Sequence, residues 1–100
     1  MRGTVTLHVF ARFEPKPGAE ARLRQLLREV VPPSRAEAGC RRIDLYETVR
    51  PPTFFEINSE WEDEVAFELH ATLPHTVRFL AAVPELLTHE LRVLRTERIG

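Results

Sequence analysis

Residues 4–13 read TVTLHVFARF, and the fold class follows from their alternation. Val5, Leu7, Val9, Ala11 and Phe13 form a fully apolar row, while Thr6, His8, Phe10 and Arg12 between them form a mixed one. A period of two marks a β-strand, and two unlike rows mark a strand with one face on a core and the other face on something else. Downstream, Pro15, Pro17 and Gly18 interrupt the pattern. Ala19, Leu23, Leu26, Leu27 and Val30 then recur at helical spacing, with Arg22, Arg24, Arg28 and Glu29 on the remaining faces. Pro32 and Pro33 lack amide hydrogens, which predicts an end to this helix near Val31, and Gly39 allows a tight turn before a second strand starting at Cys40.

Ile43, Leu45 and Glu47 alternate with Arg42, Asp44 and Tyr46, and Pro51-Pro52 separates them from a third strand over residues 53–61, so the two strands read as a hairpin. Asp63 suits the N-cap of a helix with Ala66, Leu69 and Leu73 on one face. Pro74 suits the first turn of its continuation, which carries Val77, Leu80 and Ala81, so the second helix is expected to be broken. Pro84 closes it, and residues 89–99, with Leu91, Val93 and Leu94, predict a last strand. The order βαββαβ predicts an α+β, ferredoxin-like fold: an antiparallel sheet with both helices on one face. The opposite face, bearing the mixed row of the first strand, is then left bare. Two such sheets packed face to face form a dimeric α+β barrel, so a homodimer is expected.

The 100 residues suit a single domain spanning 1–100, and with Leu, Ile, Val and Phe making up 30 of them the chain is rich enough in core formers to fold. Fourteen basic against fifteen acidic residues, with no run of one sign, make nucleic acid and membrane surfaces poor partners. The one cysteine, Cys40, excludes an intramolecular disulfide framework and a Cys-Cys zinc pair, and a cytoplasmic location fits best. Met1 to Thr4 lead straight into the alternation without the apolar core of a signal peptide, so an unprocessed soluble protein is expected.

Residues 61–75 read WEDEVAFELHATLPH. A strand-ending Trp, an acidic helix start, a His nine residues later and a closing Pro-His, together with Gly39-Cys40 before the second strand, resemble the antibiotic biosynthesis monooxygenase family. The resemblance implies small dimers of ferredoxin-like subunits that oxidise phenols, quinols or polyketide aromatics with O2, commonly without metal or flavin. Some relatives carry a Glu two positions before the Trp, where this chain has Ser59, and the haem-degrading branch carries an Asn where this chain has Ala11. Haem degradation is therefore not expected.

The chemistry explains how few residues suffice. Triplet O2 reacts slowly with closed-shell organics, and most oxygenases use a cofactor to pass single electrons, whereas an electron-rich phenolate supplies its own. The protein then needs an apolar cavity, a group to take the phenolic proton, and polar contacts near the developing anion. Trp61 shares strand parity with Phe55, Ile57 and Ser59, and His70 sits on the apolar face of the second helix, so both point into the layer between sheet and helices. His70 and Trp61 are the candidate catalytic residues, and His75, Phe79, Ser59 and Phe13 are candidate substrate contacts. A cavity of roughly a few hundred cubic ångströms beside His70 is required.

Each residue has a competing reading. A lone Trp often only fills a core, and a buried His is as often bonded to a backbone carbonyl as catalytic. His8 is expected in the subunit interface and His89 at the surface. Arg41 and Arg42 beside Cys40 favour a lowered thiol pKa, but a small buried residue at a strand start is the simpler account. His70 and His75 are five apart, so they do not share a helix face, and no third ligand is expected beside them; no metal is expected. The rival to a cofactor-independent monooxygenase acting on a phenol or quinol is a non-catalytic or isomerase-like small-ligand-binding barrel.

Overall fold

The structure, a computed structural model, describes residues 5–100. The first strand, β1, spans Leu7–Phe13; the expected start at Thr4 and the reading of Met1 to Thr4 lie outside the described residues. Helix α1 (Glu20–Arg35), strands β2 (Cys40–Glu47) and β3 (Phe55–Trp61), helices α2 (Glu64–Thr72) and α3 (Pro74–Ala82), a 3-10 turn (Pro84–Leu86) and strand β4 (Arg92–Thr96) follow. The strands form one antiparallel sheet in the order β2-β3-β1-β4. This is the ferredoxin-like arrangement, with the helices on one face.

The inward row of β1 is buried from Leu7 to Phe13, and it pairs with the inward row of β3: Leu7 with Trp61, Val9 with Ser59, Ala11 with Ile57 and Phe13 with Phe55. Leu23, Leu27, Val30 and Val31 of α1 close over Phe13, Ile43 and Phe55. Trp61 forms a smaller cluster with Leu7 and Val9. Val5, expected to begin the inward row, precedes the strand and is exposed.

Two expectations about the helices fail for identifiable reasons. Helix α1 does not stop at Val31 but runs through Pro32 and Pro33 to Arg35. Each proline removes one i→i−4 bond, but the carbonyls left over belong to Arg28 and Glu29 on the exposed side, where water can satisfy them. Val30, Val31 and Ser34 are buried on the other side, and the Ser34 hydroxyl donates to the Val30 carbonyl at 2.7 Å, so packing holds the last turn.

The apolar face of the second helix is also not the expected one. Leu69 is 61% exposed, and Val77 and Leu80 are also exposed; the inward side chains are Ala66, Phe67 and His70 from α2 and Thr76 and Phe79 from α3. The break explains the change of phase. Leu73, held before Pro74, adopts an extended backbone (φ −76°, ψ 149°), so α3 starts afresh with its own rotation. Asp63 caps α2 as expected, accepting from the Ala66 amide at 2.8 Å.

Candidate active site

Between the sheet and helices α2 and α3 lies a cavity of about 330 Å³. Phe13, Ser59 and Trp61 line it from the sheet, and His70 and Phe79 from the helices. Five of the six residues singled out in the sequence therefore meet at one chamber. His75 does not line it; its ring stands behind His70, 6.0 Å away between centroids, beside a separate groove with Pro74, Arg78 and Phe79.

Trp61 ends β3 and is 1% exposed. Its indole N–H donates to the Ser59 hydroxyl at 2.9 Å, which answers the question of why the place two residues before the Trp is polar. The indole donor is thus engaged within the protein. The ring contributes as a wall, 4.5 Å from the His70 ring and 5.5 Å from Phe67, to which it stands edge-on. Phe67 stacks on the imidazole at 5.6 Å, so His70 is held between two aromatic side chains.

Behind the imidazole is the residue that the sequence did not reveal. Glu37, in the turn between α1 and β2, places Oε2 2.7 Å from His70 Nδ1 and also 2.7 Å from His75 Nε2. The Thr76 hydroxyl lies 3.3 Å from the same His70 nitrogen. All three charged or chargeable side chains are largely shielded: His70 is 13% exposed, Glu37 10% and His75 17%. The absence of a third group beside the two histidines, expected from sequence, is corrected: Glu37 stands between them.

Local structure explains how Glu37 reaches this place. The Glu37 amide donates to Ser34 O, its carbonyl accepts from the Cys40 amide, and the Gly39 carbonyl accepts from the Glu62 amide at 2.8 Å. A Cβ on Gly39 would overlap the Cβ of Ala66 in α2. Gly39 is therefore required by close approach to α2 and not by a left-handed backbone; among the described residues Gly18 alone is a glycine with positive φ.

An ionised carboxylate oxygen only accepts, so with Glu37 ionised His70 presents Nδ1–H and His75 presents Nε2–H to it. That tautomer leaves the lone pair of His70 on Nε2, which makes no hydrogen bond among the described residues. The arrangement is a base with an orienting carboxylate, able to stabilise the imidazolium formed when Nε2 takes a proton. The carboxylate beside His70 thus comes from the α1–β2 turn and not from the position of Ser59. The same three donor atoms lie within 4.8 Å of one another, which also makes Glu37, His70 and His75 a set able to hold a metal ion.

Arg95 from β4 brings a guanidinium to the cavity wall, where it lies 5.1 Å over the Phe67 ring and pairs with Glu64 and Glu68 at 3.1 and 3.2 Å. Neither Arg95 nor Phe67 was singled out in the sequence. Burial, reinforced by the nearby Glu37 carboxylate, pushes the Cys40 thiol up, which disfavours its thiolate. Glu56 and Glu60 lie on the outer sheet face, where they pair with Arg12 and Arg42. His8 lies there too, 3.7 Å from Glu60, and His89 is exposed.

The family model described as "Antibiotic biosynthesis monooxygenase" matches residues 6–82. The chain is 38% identical over 90 residues to "Putative monooxygenase Rv0793" of Mycobacterium tuberculosis, covering 90% of this chain and 88% of the relative. The solved structure of Rv0793 superposes with a TM-score of 0.89, covering 95% of this chain and 96% of that one. "Putative monooxygenase YcnE" of Bacillus subtilis is 34% identical over 87% of this chain and 92% of its own. The crystal structure of PA3566 from Pseudomonas aeruginosa, 30% identical, covers both chains completely with a TM-score of 0.89.

Proposed function

The chain belongs to the antibiotic biosynthesis monooxygenase family, and on that premise we propose that it is a monooxygenase that oxidises a small electron-rich phenol or quinol with O2, the substrate itself serving as reductant. One observation carries this reading: an imidazole whose Nδ1 is tied to a shielded carboxylate at 2.7 Å forms part of the wall of an aromatic-lined cavity. A cavity of about 330 Å³ is the size of a small-molecule site.

The steps follow from these residues. The aromatic ring packs among Trp61, Phe13 and Phe79. His70 Nε2 takes the phenolic proton, and Glu37 steadies the imidazolium. The phenolate passes one electron to O2, the resulting radical pair combines to form a carbon–oxygen bond, the imidazolium protonates the peroxide anion, and His70 then takes the proton of the ring carbon that carries the hydroperoxide as its O–O bond breaks to leave a quinone and hydroxide. His70 returns its proton to the departing hydroxide. One phenol and one O2 give one quinone and one water, and the ring supplies all four electrons. His75 bonds Glu37 from the far side and acts as a positioning residue.

The reading includes a homodimer formed through the bare sheet face. Phe10, Tyr46 and Leu94 are exposed there, and the carbonyl oxygen of Asn58 is buried with no partner among the described residues. A second copy covers the first and supplies a donor to the second. No helix among the described residues is long and apolar enough to cross a membrane, and a cytoplasmic setting is part of the same proposal.

Oxygen uptake on a panel of hydroquinones tests the activity. Uptake by the wild type is expected to exceed that of His70→Ala by about 10²-fold or more, the usual contribution of a positioned base. Equal rates for the two proteins would remove His70 from the chemistry.

A further inference from the structure

We infer that Glu37, His70 and His75 form a binding site for one divalent first-row transition ion per protomer, of the Zn2+ class. Two imidazole nitrogens and a carboxylate oxygen lie within 4.8 Å of one another. Two neutral imidazoles and one carboxylate leave a net charge of −1 to meet a dication. The ligands come from three different places, the α1–β2 turn, the C-terminal end of α2 and the first turn of α3, each fixed by its own packing, so they converge without folding around the ion. Nitrogen and oxygen donors in this ratio suit zinc and its neighbours and not calcium or magnesium, which take oxygen.

The fit requires a small adjustment. Tetrahedral bonds of about 2.0–2.1 Å place neighbouring ligands about 3.3 Å apart, so the two 2.7 Å contacts to Glu37 Oε2 must open by a fraction of an ångström. The three side chains leave a fourth coordination position, and the Thr76 hydroxyl lies 3.3 Å from His70 Nδ1. Each imidazole shifts its proton to the nitrogen facing away from the ion.

This position has a consequence for the catalytic reading, and that consequence alone rests on it. Neither Glu37 nor His75 lines the cavity, so the ion sits behind the His70 ring. With Nδ1 coordinated, Nε2 keeps a proton and changes from acceptor to donor. The loaded protein is then unable to take a phenolic proton, and the ion acts as an inhibitor.

The test is a calorimetric titration of the metal-stripped full-length protein with Zn2+. One ion per protomer is expected, with affinity reduced by at least about tenfold in Glu37→Gln and in His75→Ala. His89→Ala, at an exposed histidine, is expected to bind as the wild type does. Circular dichroism establishes that each variant is folded, and visible absorption of the Co2+-loaded wild type supplies a second readout, expected to show the strong bands of a four- or five-coordinate ion that Glu37→Gln lacks. Zn2+ binding that is equally weak in wild type, Glu37→Gln and His75→Ala, or a Co2+ spectrum like that of the hydrated ion, overturns the site. Because neither readout requires turnover, failure here leaves the monooxygenase reading standing, and failure of the oxygen-uptake test leaves the metal site standing.

Discussion

The proposed chemistry comes down to one hydrogen bond, between Glu37 Oε2 and His70 Nδ1. The carboxylate fixes which imidazole nitrogen carries the proton and supports the charge that appears when the other nitrogen becomes protonated. Glu37→Gln keeps the size and one oxygen but loses the charge. Its turnover of a hydroquinone is expected to fall by about 10²-fold or more, with KM little changed, because the residue does not touch substrate. A fall in KM affinity with unchanged kcat would place Glu37 in binding instead. Trp61 was legible in the sequence because strand alternation tells which way a side chain points, whereas His70 turns inward although Leu69, on the face assigned to it, is exposed. Glu37 was not legible, because it lies in a turn where no periodicity operates, and its pairing spans 33 residues to His70 and 38 to His75. The only hint was chemical: two inward-facing imidazoles need an acceptor.

At the scale of the elements, the geometry depends on how closely the α1–β2 turn approaches α2. Gly39 makes room for Ala66, and the same turn delivers Glu37 beneath His70. Gly39→Ala is expected to destabilise the fold by about 1–3 kcal/mol, the usual cost of overpacking, and to lower activity by moving Glu37. Denaturant unfolding together with activity measured on the folded fraction checks both; a variant as stable and as active as the wild type would show that the turn has slack. Element types and order were readable from the sequence, since strands of period two and proline punctuation are local signals. The helix faces were not. Leu69, Val77 and Leu80 look like core residues in a continuous helix, and the extended backbone at Leu73 resets the rotation. The prolines of α1 misled for the opposite reason: burial of Val30, Val31 and Ser34 outweighs two lost backbone bonds that face solvent.

At the scale of the whole molecule, the helices cover one face of the sheet and leave the other with a charged lattice around three exposed apolar side chains, Phe10, Tyr46 and Leu94. Burial by a second copy predicts a dimer by analytical ultracentrifugation at micromolar concentration, and Phe10→Asp, which sets a charge among the apolar side chains of that face, is expected to shift it toward monomer. A wild type that sediments only as monomer would contradict the barrel. The central claim concerns the cavity: a partly open, aromatic-lined chamber whose imidazole takes the proton of a phenol. A nitrophenol that is un-ionised in the assay buffer reports this directly by its colour. Binding to the wild type is expected to raise the phenolate absorption band in proportion to occupancy, and His70→Ala is expected to bind the same ligand without raising it. A nitrophenol that stays protonated in the wild-type cavity, or that ionises equally in His70→Ala, would contradict the account.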